Sequence, residues 1–479
     1  MPQIIGVWCK EEGHDVNYSI FTGTQKLNTL LQENYDLVFI SSFTYTAQLA
    51  YALSNFYRSK KIVTVLGGPH ARCYPDDSCQ YFDYVMGLTD KELLKNLLHN
   101  FEFAVNRGIF LNAPSQPISI PGVRQRWEFI EQVHRQAPFI KMVPMIGSFG
   151  CPFQCDFCID ATIPYQLLDM DMIRDDLQFL IRRMKRPVVS WYDPNFGIKF
   201  DKLMHTIESA VPAGSIDFIA ECSLSVLNEP NVKRLQHNGF KMVMPGIESW
   251  FDCGAKSKTG SATGLEKVKQ VAEQMNMIHR YIPQVHANLI FGRDCDEGTD
   301  PFTLTKRFID LAPAIYPSYA LFNIYGQSTI ENQKYEIDDR IIPFPFHLMF
   351  SVQNMNVIPK HYSWEEINKN FIDLLKYSFS NTAIYNRFKA NTMTSARWTT
   401  LLLSLTIGGK GKIRDLTSRF EELRRKPDFQ SFVKKETNNI PAFMMQKVKK
   451  DLGPLWHWLP DKTLKYNTNV ISKPIRPLV

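Results

Sequence analysis

Cys151, Cys155 and Cys158 stand in the run Gly150-Cys151-Pro152-Phe153-Gln154-Cys155-Asp156-Phe157-Cys158, a C-x3-C-x2-C spacing. Three thiolates in so short a loop suit one face of an iron–sulfur cubane, whose fourth iron then lacks a protein ligand. An open coordination position marks a site that binds a substrate or cofactor. A structural zinc site needs four ligands, usually in two spaced pairs, and neither a second pair nor a nearby histidine follows. The other six of the nine cysteines (Cys9, Cys73, Cys79, Cys222, Cys253, Cys295) are scattered. An odd count and an N-terminus without a signal-peptide pattern argue against a disulfide framework, and a cytoplasmic protein is expected.

The elements that must hold this loop can be read on either side of it. Met142–Ile146 reads as the strand that enters it. Further strands are expected at Val188–Tyr192, Ile216–Ala220, Met242–Ile247, Val285–Phe291 and Tyr319–Ile324, with helices between. One such helix is Leu265–Ile278, apolar at Leu265, Val268, Val271, Ala272, Met275 and Ile278. Six βα units predict a partial (β/α)6 barrel of the TIM type over residues 139–335, with chemistry at the carboxyl ends of its strands.

Residues 1–105 predict a smaller doubly wound, Rossmann-like α/β domain. Its strands are Asp36–Ser42, Ile62–Gly68 and Tyr84–Gly87, and a helix runs from Ala47 to Arg58. Asp90 reads as the N-cap of a later helix. The domain opens with a helix from Gln3 to Glu12 that Gly13 would end, and Asp15–Phe21 then reads as a strand. Residues 106–138, with Pro114, Pro117, Pro121, Gly122 and Pro138, read as a linker. Residues 336–479 form a mainly helical C-terminal part, with helices at Trp364–Tyr377, Lys412–Lys426 and Asp428–Lys435.

The cysteine loop, Phe157 before its third cysteine and the six βα units together resemble the radical S-adenosylmethionine (SAM) superfamily over residues 140–330. The resemblance implies that Cys151, Cys155 and Cys158 bind a 4Fe–4S cluster and that SAM chelates its free iron. One electron then cleaves SAM to methionine and a 5′-deoxyadenosyl radical. It also implies SAM contacts from Phe157 and from strand ends: Asp193 in Tyr192-Asp193-Pro194-Asn195-Phe196, Glu221, and Gly246, Glu248 and Ser249 in a G-I-E-S segment. Strand five ends Phe291-Gly292-Arg293-Asp294, and Phe149 stands where related sequences often carry arginine.

The strand ends Ser41-Ser42-Phe43-Thr44 and Gly67-Gly68-Pro69-His70 resemble the cobalamin-binding domain fused to many such enzymes. That implies corrinoid contacts from Ser41, Ser42, Thr44, Gly67, Gly68, Pro69 and His70. No Asp-x-His-x-x-Gly occurs, so a histidine lower ligand is not supported, and no G-x-G-x-x-G supports a dinucleotide site. The expected activity is cobalamin-dependent methylation of an unactivated carbon on a small molecule or natural product. The electron would come from a donor such as flavodoxin or ferredoxin. Two alternatives remain, a cobalamin-independent radical SAM enzyme (rearrangement, cyclisation or oxidation) and a non-enzymatic iron–sulfur protein.

The chain has 479 residues, 44% hydrophobic and 22% charged, with 24 glycines and 28 prolines, which excludes wholesale disorder and collagen-like repeats. A net charge of +7 without a basic stripe or RNA-recognition motif argues against nucleic acid. The apolar run from Ala396 to Gly408 is too short to span a bilayer. Its Trp398–Leu405 portion is expected in the core.

Overall fold

The computed structural model describes residues 2–465 apart from 22–30, 32, 105, 107, 252–261, 327–331, 343–353 and 407. Helix Pro2–Glu11 opens the chain. It stops because Gly13 takes φ +88°, and the amides of Gly13 and His14 return to the carbonyls of Lys10 and Cys9. The expected strand Asp15–Phe21 does not form. Residues 14–21 run instead along the helix Trp127–Gln136, where the Tyr18 ring lies 5.2 Å from Phe129 and the Ile20 amide donates to Gln136.

A first sheet follows in the order β1 (Leu37–Ser41), β2 (Val63–Gly67), β3 (Tyr84–Met86), β4 (Ile109–Leu111), with every pair parallel. Asp90 caps the helix Lys91–Asn100 by accepting from the Leu93 amide at 2.8 Å. The stretch expected as a linker is therefore partly ordered. It supplies the edge strand β4 and the helix Trp127–Gln136.

The second sheet is built from β5 (Met142–Met145), β8 (Val188–Phe196), β9 (Asp217–Ser223), β10 (Phe240–Glu248), β11 (Gln284–Phe291) and β12 (Tyr316–Leu321). Its order is β12-β11-β10-β9-β8-β5, again all parallel, with helices packed between successive strands. Two short strands after β5, β6 (Ser148–Phe149) and β7 (Gln166–Leu167), pair antiparallel and bracket the cysteine loop. The architecture is α/β with parallel sheets.

The helical C-terminal part does not pack as one body. Phe371, Leu374, Leu375, Phe379, Leu416 and Phe420 join the large core of the second sheet. Val448, Leu452, Leu455 and Leu459 pack instead on the first sheet's helix Ala47–Ser59, against Ala50, Tyr51, Leu53 and Phe56. A buried arginine, Arg126, ties the halves together by donating to Gln3 of the first helix and to the Pro144 carbonyl in β5. Among the described residues, no helix is long and apolar enough to cross a membrane.

Candidate active site

The cysteine loop leaves β6 through Gly150, whose φ of +63° carries the chain close to the carbonyls of Ile163 and Pro164. A Cβ there would strike both, so glycine is required by the close approach. The Cys151 amide donates to Ile163, the Cys158 amide to the Cys155 carbonyl at 3.0 Å, and the Asp160 amide to Cys158 Sγ at 3.4 Å. Cys151 and Cys155 are buried, Cys158 is half-buried, and none of the three is disulfide-bonded.

Among the described residues, no three His, Cys, Asp or Glu side chains converge as ligands of one metal ion. Thiolates on three irons of a cubane stand farther apart than the ligands of a single ion. Three cysteines outside any disulfide in one loop, with a backbone N–H aimed at one sulfur, are a donor set that fits a cluster. Cys295 is disulfide-bonded.

Two aspartates sit two residues either side of Cys158, and each is held by an arginine from a different part of the molecule. Asp156 accepts both of its bonds, at 2.8 and 2.9 Å, from Arg293 just beyond β11. Arg293 is 2% exposed and lies 5.0 Å from the centre of the Phe157 ring, so the guanidinium grips the loop by charge and by stacking. Asp160 accepts from Arg72 at 3.1 Å, and Arg72 belongs to the helix Pro69–Cys73 that follows β2 of the first sheet. Cys73 and Tyr74 also pack against Ile159 of the cysteine loop.

The β11 loop is pinned from its other side as well. Asp294 takes a two-pronged bond from Arg340 and an ion pair from Lys334. Burial would raise its pKa, but these cations hold the carboxyl well below the usual range. Asp296 accepts from the amides of Gly292 and Arg293, and burial pushes its pKa up to about 6.

The strand-end residues expected to meet SAM divide into two groups. Asp193 is buried and already occupied, accepting from the Gly147 amide at 3.0 Å and from Ser148 Oγ at 2.6 Å. It braces the backbone that enters the cysteine loop, and burial pushes its pKa up to about 6. Ser249 is buried too, its hydroxyl accepting from the Phe251 amide and lying 3.7 Å from Cys295 Sγ. Glu221 is exposed at the end of β9. Glu248 ends β10 at φ +65°, beside a shift of register between Gly246 and Glu248, where a Cβ on Gly246 would strike its carboxylate. A bulge at a strand's carboxyl end re-aims a side chain.

Asn195 was not singled out by sequence. It is 2% exposed, and its Oδ1 accepts from the Ser223 amide at 2.9 Å, joining the ends of β8 and β9. Its Nδ2 is buried with no partner among the described residues, a donor left over at the same end of the sheet. Asn195 and Arg293 were visible only as strand-end polar residues. Nothing in the sequence paired Arg293 with Asp156, 137 positions away.

In the first sheet, Ser41 pairs with Gly67, so the loops after β1 and β2 leave side by side. The Ser42 amide donates to the Gly67 carbonyl, and the His70 amide to the Ser42 carbonyl. Gly68 has φ +87°, and a Cβ on it would lie 2.7 Å from Ser41 Oγ. At Gly67 a Cβ would meet nothing within 4 Å. Beside that open ground, Phe43 and Tyr45 are 54% and 50% exposed and stack on one another, centroids 5.5 Å apart. An uncrowded glycine edge with exposed aromatics is a surface that fits a large planar macrocycle.

His70 has a different place from the one expected. It is fully buried, Nε2 lies 2.7 Å from Tyr51 Oη, and Nδ1 lies 3.3 Å from Thr44 Oγ1. Tyr51 in turn donates to buried Asp77, whose pKa burial pushes up to about 7. The imidazole thus supports Thr44 from behind and cannot also ligate cobalt. Pro69 is the first residue of its helix, Ser42 and Thr44 are buried, and Ser41 is exposed.

No family model matches the chain. The chain is 22% identical over 372 residues to bacteriochlorophyllide d C-12(1)-methyltransferase of Chlorobaculum tepidum, covering 75% of this chain and 78% of that protein. The fold matches the radical SAM methyltransferase TsrM of Kitasatospora setae with cobalamin and a [4Fe-4S] cluster bound. That match has a TM-score of 0.55 at 13% identity, over 94% of this chain and 96% of that one. It also matches the cobalamin-dependent SAM radical enzyme OxsB with aqua-cobalamin and SAM bound, at a TM-score of 0.57 and 11% identity, over 98% and 79% of the two chains. The chain shares its fold with these radical SAM enzymes and is similar in sequence, over three quarters of its length, to a bacteriochlorophyllide methyltransferase. Within this shared fold, the cysteine loop occupies the carboxyl end of the second sheet, and the Ser41 and Gly67 loops the carboxyl end of the first.

Proposed function

We propose that the chain is a cobalamin-dependent radical SAM methyltransferase that methylates carbon on a small-molecule substrate. The observation that carries this reading is the direct junction of the two strand-end sites, by Arg72 to Asp160 and by Cys73 and Tyr74 against Ile159. A corrinoid domain contributes to methyl transfer only when its cofactor face lies next to the cluster loop, and this contact supports that arrangement.

On this reading residues 1–105 form the corrinoid domain, 106–138 the connection, 139–335 the radical SAM core as a partial six-stranded barrel, and 336–479 the helical part. Cys151, Cys155 and Cys158 hold a 4Fe–4S cluster, which when bound supplies the electron that cleaves SAM, while the corrinoid carries the methyl group. Asp193 holds Gly147 and Ser148 so that the cysteine loop starts from a fixed backbone. Arg293 fixes Asp156 and Phe157 between the second and third thiols. Asn195 Nδ2 offers a hydrogen-bond donor, and the carboxylates of Glu221 and Glu248 offer acceptors, for the polar groups of SAM. Phe43, Tyr45 and the Gly67 edge receive the corrin face. A cytoplasmic flavodoxin- or ferredoxin-like protein supplies the electron.

The test is anaerobic incubation of reconstituted protein with dithionite, SAM and hydroxocobalamin. The wild type should form 5′-deoxyadenosine, and Cys155→Ala should form none. A cluster-replete, reduced wild type that leaves SAM intact would remove this reading.

A further inference from the structure

The helices Asn381–Ala390 and Thr394–Leu405 form a hairpin on the outer side of the molecule. The second helix is seated by its small residues. Ala396, Thr400 and Ser404 are buried, and Ser404 Oγ accepts at 3.2 Å from Arg387, itself 1% exposed. Leu401 and Leu403 pack against the core, while its other large apolar residues face the other way. Trp398, Leu402 and Leu405, at helical positions i, i+4 and i+7, are 58%, 63% and 48% exposed. Tyr385 of the first helix, 63% exposed, and Met393 between the helices add to the same hairpin. The expectation that Trp398–Leu405 is core is therefore reversed for its largest residues. Single exposed apolar side chains are common, but a helix that shows a Trp and two Leu on one exposed face marks an interaction surface.

The stretch of sequence that carries this face is basic. Between Asp373 and Asp415 the sequence holds no acidic residue and seven basic ones: Lys376, Arg387, Lys389, Arg397, Lys410, Lys412 and Arg414. Arg387 is buried and holds the hairpin, whereas Lys376, Lys389 and Arg414 are exposed. Trp and Leu on one helix face, in a stretch of 41 residues with seven basic and no acidic side chains, is the pattern of a helix that lies in the plane of an anionic membrane surface. At 12 residues the helix is too short to span one. A second copy of the chain is the poorer occupant. Two such faces brought together would set like charges against each other.

We propose that the hairpin docks the protein on anionic lipid bilayers, with Trp398, Leu402 and Leu405 entering the headgroup boundary and Lys389 and Arg414 meeting lipid phosphates. The reading does not depend on the cluster or the corrinoid, and its test uses the full chain without either. Co-sedimentation is measured with vesicles of phosphatidylcholine alone and with vesicles containing one-third phosphatidylglycerol, at low and high salt. Wild type should bind the anionic vesicles at least tenfold more tightly than the neutral ones, and salt should weaken that binding. The double variant Trp398→Ser, Leu402→Ser and, separately, Lys389→Glu with Arg414→Glu should each lose tenfold or more. Circular dichroism and the thermal midpoint should stay unchanged. Wild-type binding to neither vesicle, or binding that both variants keep, overturns the proposal. So does a wild-type dimer that the Trp398 and Leu402 variant turns into monomer without any vesicle binding, because the face then serves self-association.

Discussion

The two sheets present their carboxyl ends in opposite ways. At the second sheet three buried or half-buried aspartates are already engaged: Asp156 by Arg293, Asp193 by Gly147 and Ser148, Asp296 by the β11 loop. At the first sheet the surface is left open, with Gly67 facing empty space and Phe43 and Tyr45 exposed. A loop that must hold three thiols in one arrangement needs its backbone fixed before any ligand arrives. A face that receives a large, flat ring needs area and small residues more than preformed bonds. The difference teaches which residues are supports and which are contacts. Acidic groups at the second site are mostly supports, and apolar groups at the first are mostly contacts.

The contrast is broken most severely at the thiols. Replacing Cys151, Cys155 and Cys158 together by alanine should abolish bound iron and the brown absorbance while the far-ultraviolet circular dichroism is retained. Reconstituted wild type that takes up one zinc and no iron–sulfur would refute the cluster assignment.

Next comes Arg293. Arg293→Ala strands Asp156 beside the loop without its partner. Breaking a buried pair from one side is costly, and because Asp156 keeps some solvent contact the loss should be roughly 2–3 kcal/mol, at the low end for such pairs. Denaturant unfolding of the apo-protein checks this, and cluster loss to a chelator should be several-fold faster. Arg72→Ala removes a pair that is about one-fifth exposed on both sides, and should cost only about 0–1 kcal/mol. Equal costs for the two would show that the second site is no more tightly held than the junction.

Asp193 adds a pH signature. Its folded pKa of about 6 lies above the ordinary carboxyl value near 4, so between those values the folded protein holds a proton that the unfolded chain has released. Stability from this group is thus full below pH 4 and falls as the pH rises through 6. Asp193→Asn, which cannot ionise, should gain on wild type by roughly 3 kcal/mol at most across that window. Thermal midpoints of the two proteins from pH 4 to 7 give the comparison, and parallel curves would contradict it.

The two adjacent glycines give the finest discrimination. Gly68→Ala forces a Cβ into a left-handed backbone position against Ser41 and should cost about 1–3 kcal/mol. Gly67→Ala, with open space and no such backbone, should stay within about 1 kcal/mol. Thermal or urea unfolding separates them, and the reverse order would mean that the loop is wrongly placed.

Legibility in the sequence followed the size of the signal. Long apolar strands alternating with helical periods revealed both sheets, and the cysteine spacing revealed the loop. Strand β4 escaped because its three residues lie on a sheet edge with two of them exposed, so they make no buried run. The helix Trp127–Gln136 was masked by the prolines and glycine before it. Asp15–Phe21 looked like a strand from its residue types, yet its partners turned out to be side chains of that helix. Roles at the site were harder still. A strand-end aspartate such as Asp193 looks like a ligand contact until its two donors are seen, and His70 looks available until Tyr51 and Thr44 are found on its ring. Pairings across more than a hundred residues are set by topology and leave no local trace.

The most direct test of the joined two-site account is a spectroscopic titration of the anaerobic, cluster-loaded protein with hydroxocobalamin, wild type against Gly67→Trp. Gly67 is the right position because a side chain there fills open ground without straining the backbone, whereas any residue at Gly68 would. Saturable binding of one corrinoid per wild-type chain, weakened at least tenfold in Gly67→Trp with unchanged thermal unfolding, is the predicted result. No saturable binding to folded wild type, or equal binding by the variant, would contradict it.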